Sequence, residues 1–130
     1  MKTIEVVAAI IKYEDKILCV QRGESNLDYI SKKYEFPGGK MEKGESKEET
    51  IKREIFEELK MRINVLEEFH TVTYEYPDFI LTMHSFICTC DNPQLTLTEH
   101  INFIWLKKNE LESLNWAAAD IPIMKKLMEN

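Results

Sequence analysis

The alternation of apolar and polar positions predicts β-strands over most of the chain. Runs rich in β-branched and aromatic residues, bounded by turn-forming residues, are typical of strands. The predicted strands are residues 4–12, 16–22, 34–36, 63–76, 79–90 and 101–106. Glu14-Asp15 and Pro77-Asp78 predict turns between consecutive strands. The polar segment 23–33 predicts an exposed loop, and Pro37-Gly38-Gly39 predicts a tight glycine turn.

A different period, of four residues, appears in the middle of the chain. Ile51, Ile55 and Leu59 recur at this spacing and predict one apolar face of an amphipathic helix. Ser46 and Glu49 match the S-x-x-E capping box, in which each side chain bonds the other's backbone N–H. The helix is therefore predicted to begin at Ser46.

Two further helices are predicted near the carboxyl end, at residues 106–114 and 121–128. Asp120 is placed as the N-cap of the last helix, with Pro122 tolerated in its first turn. Strands in both hairpin and crossover relation, with helices between and after them, predict an α/β fold with a mixed sheet between helices. The length of 130 residues predicts a single domain over 1–130.

Composition narrows the class of ligand. With 44% apolar and 31% charged residues the chain is ordinary for a globular protein. The net charge of −6 argues against a nucleic-acid polymer as ligand, although a bound cation allows a free nucleotide. The apolar run near the amino end is too short for a membrane span, so no membrane partner is expected. The three cysteines are interpreted as reduced, packed thiols of a cytoplasmic protein.

Three glutamates on the central helix are the strongest candidates for chemistry. Glu54, Glu57 and Glu58 occupy positions i, i+3 and i+4, which lie on one side of a helix. Like charges at this spacing repel, at a cost of about 0.2–0.5 kcal/mol per pair. A hard divalent cation such as Mg²⁺, bound between the carboxylates, turns this repulsion into a net attraction. The pattern therefore indicates a metal site rather than a solvated acidic surface.

The same stretch resembles the signature of the Nudix hydrolases, G-x5-E-x7-R-E-U-x-E-E-x-G-U, where U is aliphatic. The matching positions are Gly39, Glu45, Arg53, Glu54, Ile55, Glu57, Glu58 and Met61. Lys60 departs from the pattern, since the family has glycine there. A glycine at this place serves as a left-handed helix C-cap, so a lysine costs about 1 kcal/mol without removing a metal ligand.

The resemblance implies a Nudix-type α/β/α sandwich and Mg²⁺ as cofactor, with Mn²⁺ able to replace it. The metal ligands it implies are Gly38 through its carbonyl, Glu54, Glu57, Glu58 and Glu99. Glu54 and Glu99 are each implied as either a ligand or the base that activates water. Arg53 would orient the carboxylates, for which a guanidinium is well suited.

Residues 34–40, 74–78 and 117–122 extend the resemblance to the MutT-type branch, and the last segment resembles the CTP pyrophosphohydrolases within it. Arg22, Lys40, Phe36 and Asp120 are the implied substrate-binding residues. Each also has a simpler interpretation: Arg22 and Lys40 as surface cations, Phe36 as a core ring and Asp120 as a helix cap. His70, His84 and His100 have no ligand-like spacing and are interpreted as structural.

The expected activity is cleavage of a (deoxy)nucleoside triphosphate to the monophosphate and pyrophosphate. An ionised Asp120 accepts hydrogen bonds, which favours the amino group of cytosine and leaves 8-oxo-guanine open through its N7–H. CTP, dCTP and 8-oxo-dGTP are therefore the expected substrates of a monomer or homodimer. The alternatives are hydrolysis of another nucleoside diphosphate derivative, such as a nucleotide sugar or dinucleotide, and a nucleotide-sensing module without catalysis.

Overall fold

The computed structural model describes residues 1–129. Most predicted strands and helices are confirmed, with boundaries that differ by one or two residues. The strands are Lys2–Tyr13 (β1), Lys16–Gln21 (β2), Tyr34–Glu35 (β3), Gly38–Lys40 (β4), Asn64–Glu75 (β5), Phe79–Thr89 (β6) and Asn102–Leu106 (β7). The helices are Lys47–Leu59 (α1) and Ile121–Met128 (α2), and short 3₁₀ turns lie at Lys108–Ser113 and Ala118–Asp120. The short helix predicted at 106–114 is thus a 3₁₀ turn.

The strands form one mixed sheet, as predicted. Its order is β3-β2-β1-β6-β5, with β4 also pairing β1 and β7 also pairing β2. The β1–β6 pair is parallel and the other pairs are antiparallel. β1 and β2 pair beside their hairpin turn, whereas further along β4 takes the place next to β1 and β3 the place next to β2. The segment 34–40 therefore enters an opening between two strands of the sheet.

The core has two layers, one on each face of the sheet. Alternate residues of β1 point to opposite faces because the strand has a period of two. Val7, Ala9 and Ile11 pack with the apolar stripe of α1, which is the predicted Ile51, Ile55 and Leu59. Ala8 and Ile10 pack in the other layer with Ile123, Met124 and Leu127 of α2. This arrangement confirms the α/β/α sandwich.

The predicted tight turn at 37–39 is wrong, because Gly38 and Gly39 lie within β4. A Cβ at Gly38 would collide with the backbone carbonyl of Val7, and one at Gly39 would collide with the carboxylate of Glu54. Gly38 is therefore required for close approach to the β1 backbone, and Gly39 leaves room for the Glu54 side chain; neither serves a turn. Their small size brings the β4 backbone against the acidic side of α1.

Both ends of α1 follow from its sequence. At the start, the Glu49 N–H donates to Ser46 Oγ (3.1 Å) and the Ser46 N–H donates to Glu49 Oε1 (2.9 Å), so the capping box is confirmed. At the end, Lys60 has φ 55° and ψ 34°, the left-handed conformation that the family's glycine adopts easily. The Lys60 N–H donates to the Phe56 carbonyl (3.0 Å) and closes the last turn.

We expect Lys60→Gly to raise the free energy of unfolding by about 1 kcal/mol, because it removes the steric cost of a Cβ in the left-handed region. Urea denaturation followed by circular dichroism measures the change. Lys52→Gly is the matched control, since Lys52 lies inside α1 and the same substitution there lowers the free energy by about 1 kcal/mol. A destabilised Lys60→Gly variant would contradict the assignment of Lys60 as a strained left-handed C-cap.

The three cysteines are free and buried, which confirms their interpretation as packed thiols. Burial raises the pKa of the Cys19 and Cys88 thiols to about 12, so neither is a ready nucleophile. Among residues 1–129, no helix has the length and apolar character needed to cross a membrane.

Candidate active site

A cleft of about 740 Å³ opens where the segment 34–40 enters the sheet. It brings together predicted residues that are far apart in sequence. One group, called here the acidic group, is Glu54, Glu58 and Glu99, beside Gly38 and Lys40. A second group, the Asp120 group, is Arg22, Phe36 and Asp120. The other two predicted residues, Arg53 and Glu57, lie beside the acidic group and are joined to it by ion pairs.

Arg53 holds several carboxylates in place at once. Its Nε and Nη2 donate to the two oxygens of Glu45 (2.6 and 2.9 Å). Nη1 donates to Glu54 Oε1 (2.8 Å) and to Glu57 Oε1 (3.1 Å). Nη2 also donates to the carbonyl of Lys40 in β4 (3.2 Å). A planar guanidinium with five donors can do this, whereas an ammonium cannot, which supports the orienting role implied by the resemblance.

Glu45 anchors this arginine. Its carboxylate also accepts from the Glu42 N–H (2.9 Å) and from Thr50 Oγ1 (3.0 Å). The hydrogen bonds from Arg53 are the main reason that the pKa of Glu45 falls to about 2. Glu45 therefore stays ionised through the neutral range and fixes Arg53 toward Glu54.

Glu58 is the most unusual carboxyl of the site, because it lies on the buried side of α1 and is only 5% exposed. Burial, followed by the neighbouring carboxyls of Glu54, Glu99 and Glu35, raises the pKa of Glu58 to about 10. Its Oε1 is buried without a hydrogen-bond partner. In the part of the chain that the structure describes, no cation neutralises this cluster of carboxyls at Glu58, and a hard divalent cation bound there would do so. The residues therefore fit such an ion. Within residues 1–129, however, no three side chains are already close enough to hold an ion, so binding requires side-chain adjustment.

Glu57 differs from its two neighbours. Its side chain is 57% exposed and contacts Arg53 at the edge of the cleft. Its role as a metal ligand stays a prediction.

His100 and Glu35 belong to the site but were missed from the sequence. His100, interpreted above as structural, lines the cleft, and its Nε2 lies 3.0 Å from Glu35 Oε2. Its Nδ1 lies 4.0 Å from Glu58 Oε1. Adjacency to Glu99 was the only available signal, because the contacts of His100 span 65 positions to Glu35 and 42 positions to Glu58.

Two cations face the cleft. Arg22 is half exposed, and its Nη1 lies 3.5 Å from Glu35 Oε1. Lys40 is exposed and follows the two glycines of β4. Both are available to an anionic ligand that enters from solvent.

Asp120 is 4% exposed and its side chain does not cap α2, which corrects the predicted capping role. Its Oδ1 instead accepts from the Phe36 N–H (3.0 Å). Burial, and then the nearby Glu35 carboxylate, raises the pKa of Asp120 well above its ordinary value. An upward shift favours the protonated carboxyl, which can donate a hydrogen bond as well as accept one. The role of Asp120 in reading the base stays a prediction.

Aromatic rings support the Asp120 group. The Phe36 ring packs at a tilt on Trp116, with centroids 4.7 Å apart. The Ala119 N–H donates to Tyr76 Oη (3.0 Å), which fixes the 3₁₀ turn that carries Asp120. Phe36 is thus both a core ring and a wall of the cleft.

Known proteins are similar to this chain in sequence and in fold. A family model described as the NUDIX domain matches residues 6–126. The chain is 35% identical over 129 residues to the CTP pyrophosphohydrolase of Escherichia coli (strain K12), covering 98% of this chain and 93% of that protein. It is 32% identical over 83 residues to the 8-oxo-dGTP diphosphatase of the same strain, covering 64% of each.

Solved structures agree with these relatives. The MutT protein of the Nudix hydrolase family from methicillin-resistant Staphylococcus aureus 252 superposes with a TM-score of 0.76 at 43% identity, covering 99% of this chain and 98% of that one. The E. coli ORF135 protein superposes with a TM-score of 0.82 at 34% identity, covering 99% and 91%. The family match over nearly the whole chain, together with the signature residues gathered around one cleft, means that this protein belongs to the Nudix family of hydrolases.

Proposed function

We propose that this Nudix hydrolase cleaves a (deoxy)nucleoside triphosphate to the monophosphate and pyrophosphate, using Mg²⁺ with Mn²⁺ as a substitute. The observation that carries the proposal is that one cleft contains both the acidic group and the Asp120 group. A ligand with a phosphate chain at one end and a base at the other has functional groups suited to both.

Nudix hydrolases in general use divalent metal ions. The residues that would hold the ion here are Glu54, Glu58, Glu99 and the carbonyl of Gly38, with Glu57 at the edge. When bound, such an ion neutralises phosphate charge and lowers the pKa of a bound water. The unpaired buried oxygen of Glu58 supports this assignment.

The protein's own groups would bind and orient the substrate. Arg22 and Lys40 would contact the phosphates, since both are cations that face the cleft. Arg53 would keep Glu54 aligned through their 2.8 Å ion pair. Either Glu54 or Glu99 would accept the proton of the attacking water, because both are carboxylates of the acidic group.

The named relatives support two substrate types, CTP and 8-oxo-dGTP. Asp120 is compatible with both, because its carboxyl can accept and, when protonated, donate a hydrogen bond. The longer alignment with the CTP pyrophosphohydrolase favours a cytosine nucleotide. A nucleotide sugar or dinucleotide is a second candidate with the same metal chemistry. A sensing module without catalysis is less well supported, since the signature carboxylates and Arg53 are all retained.

A substrate panel tests the proposal. The protein is incubated with CTP, dCTP, 8-oxo-dGTP, dGTP, a nucleotide sugar and a dinucleotide, each with Mg²⁺ or with chelator, and the products are separated by ion exchange. Monophosphate plus pyrophosphate from a triphosphate, only with the metal, is the expected result. Release of inorganic phosphate alone, or binding without turnover, would reject it.

The side chain at position 120 tests base recognition. Asp120→Asn keeps an oxygen that can accept from the Phe36 N–H and replaces the other oxygen with an NH₂ donor. We expect kcat/KM for CTP or dCTP to fall by about tenfold or more, because the cytosine amino group loses an acceptor. The value for 8-oxo-dGTP should fall less, since its O6 can accept from the new donor. An equal change in kcat/KM for cytosine nucleotides and for 8-oxo-dGTP would contradict a role of Asp120 in base recognition.

A further inference from the structure

His100 has two buried contacts that the proposed function does not use. Its side chain is only 6% exposed, the same as that of Glu58. Its Nδ1 and the Glu58 Oε1 are the buried side-chain atoms without a hydrogen-bond partner among the described residues. These two atoms face each other at 4.0 Å. Because unpaired buried polar atoms are rare in proteins, two that face each other indicate a contact that forms in another state of the site.

The other ring nitrogen lies on a second carboxylate. Nε2 is 3.0 Å from Glu35 Oε2, and the opposite oxygen of Glu35 is 3.5 Å from Arg22 Nη1. His100 therefore stands between a carboxylate of the acidic group and the carboxylate that holds a cation of the cleft. A side chain in this place is within reach of both neighbours, and partners behind metal ligands commonly orient those ligands.

We propose that His100 is a positioning residue that aligns Glu58 through Nδ1 and Glu35, together with Arg22, through Nε2. It thereby couples cation binding by the acidic group to phosphate binding by Arg22. This inference rests on the proposed function, since it requires that the cleft take a divalent cation and a nucleoside triphosphate. A short movement of either side chain closes the 4.0 Å separation, whichever of the two atoms carries the proton.

Two substitutions separate the two contacts. His100→Asn places an amide near the position of Nδ1, so it keeps a partner for Glu58 and loses the one for Glu35. His100→Gln places its amide near Nε2 and does the reverse. His100→Ala removes both. All three are compared with the wild-type protein for Mn²⁺ affinity without nucleotide, by calorimetry, and for KM and kcat with the best triphosphate.

We expect the Mn²⁺ dissociation constant to rise about tenfold or more in His100→Ala and His100→Gln, and to rise less in His100→Asn. KM should rise most in His100→Ala and His100→Asn, because Arg22 loses its support through Glu35. Removing Arg22 with Arg22→Ala should then raise KM in the wild-type background and have little further effect in His100→Ala. Additive effects of the two substitutions on KM would overturn the coupling.

His84 is the matched control, because it is also buried and paired to a carboxylate, Glu5, but does not line the cleft. His84→Asn should alter thermal unfolding without changing Mn²⁺ affinity. If His100→Ala bound Mn²⁺ as tightly as the wild type, or if His84→Asn lost as much Mn²⁺ affinity as His100→Ala, the inference about His100 would be overturned and the proposed function would stand. A wild-type protein that neither binds Mn²⁺ nor turns over a triphosphate would overturn the proposed function as well.

Discussion

Glu58→Gln is expected to lower kcat/KM by at least about 10²–10³-fold, comparable to the loss of a group that stabilises charge in a transition state. The substitution keeps the shape of the side chain and removes a carboxyl that can ionise when a cation binds to the acidic group. Steady-state kinetics with saturating Mg²⁺ measures the loss. Because Glu58 is buried among the other carboxyls, exposed residues of α1 cannot replace it.

Glu48→Gln is the matched control. Glu48 lies on the same helix, but it is exposed and pairs with Lys52 at the i+4 position. Its replacement should leave kcat/KM within about twofold and the free energy of unfolding within about 0.5 kcal/mol. Unchanged turnover in Glu58→Gln would remove Glu58 from the metal site.

Although Glu58→Gln is expected to lower activity, it should raise the free energy of unfolding. The pKa of Glu58 is about 10 in the native protein against an ordinary value of 4.5, so the native state retains a proton that the unfolded state has lost. Through Glu58, the metal-free protein therefore loses free energy of unfolding as pH rises from about 4.5 toward 10. Glu58→Gln has no titrating carboxyl at this position and should become progressively more stable than the wild type over that range. Urea denaturation at several pH values in chelator measures the difference.

Arg53→Lys is expected to lower kcat/KM by about 10–100-fold and the free energy of unfolding by about 2 kcal/mol. Lysine keeps the charge, but a single ammonium cannot bond Glu45, Glu54 and the Lys40 carbonyl together. The effect on activity arises because Glu54 is no longer held. Kinetics and urea denaturation of the same preparation measure the two losses.

Arg62→Lys provides the same chemical change away from the cleft. Arg62 is exposed, and its guanidinium lies over the Phe56 ring at 5.0 Å. We expect this control to change stability by less than about 0.5 kcal/mol and to leave kcat/KM unaltered. An Arg53→Lys variant that matches the control would mean that Arg53 merely neutralises charge and does not orient carboxylates.

Local sequence predicted α1 well, because the determinants of this helix lie within a few residues of each other. Its apolar stripe recurs every four positions, and its capping box involves Ser46 and Glu49 alone. Even the departure at Lys60 was predictable, since a left-handed cap depends on one residue's own φ and ψ. The acidic residues on α1 could therefore be assigned to one region before any tertiary contact was known.

The β4 strand could not be predicted in the same way. Residues 37–39 read as a turn because proline and glycine favour turns locally. The strand conformation of residues 38–40 depends on pairing with Val6, Val7 and Ala8, which are 30 or more positions away. The requirement for glycine at 38 comes from the Val7 carbonyl, and Gly39 leaves room for the Glu54 carboxylate; only folding brings these groups close.

The covalent chain alone was enough to establish the family, the main helix and the charged residues available for catalysis, because these depend on residue identity and short spacing. Folding determined which of them share an environment: it buried Glu58, placed His100 against it and enclosed Asp120 behind Phe36. The physical reason is that burial, and with it the pKa of a carboxyl, depends on surroundings contributed by distant segments. His100 and Asp120, each 42 or more positions from the partners that define its role, could be understood only in three dimensions.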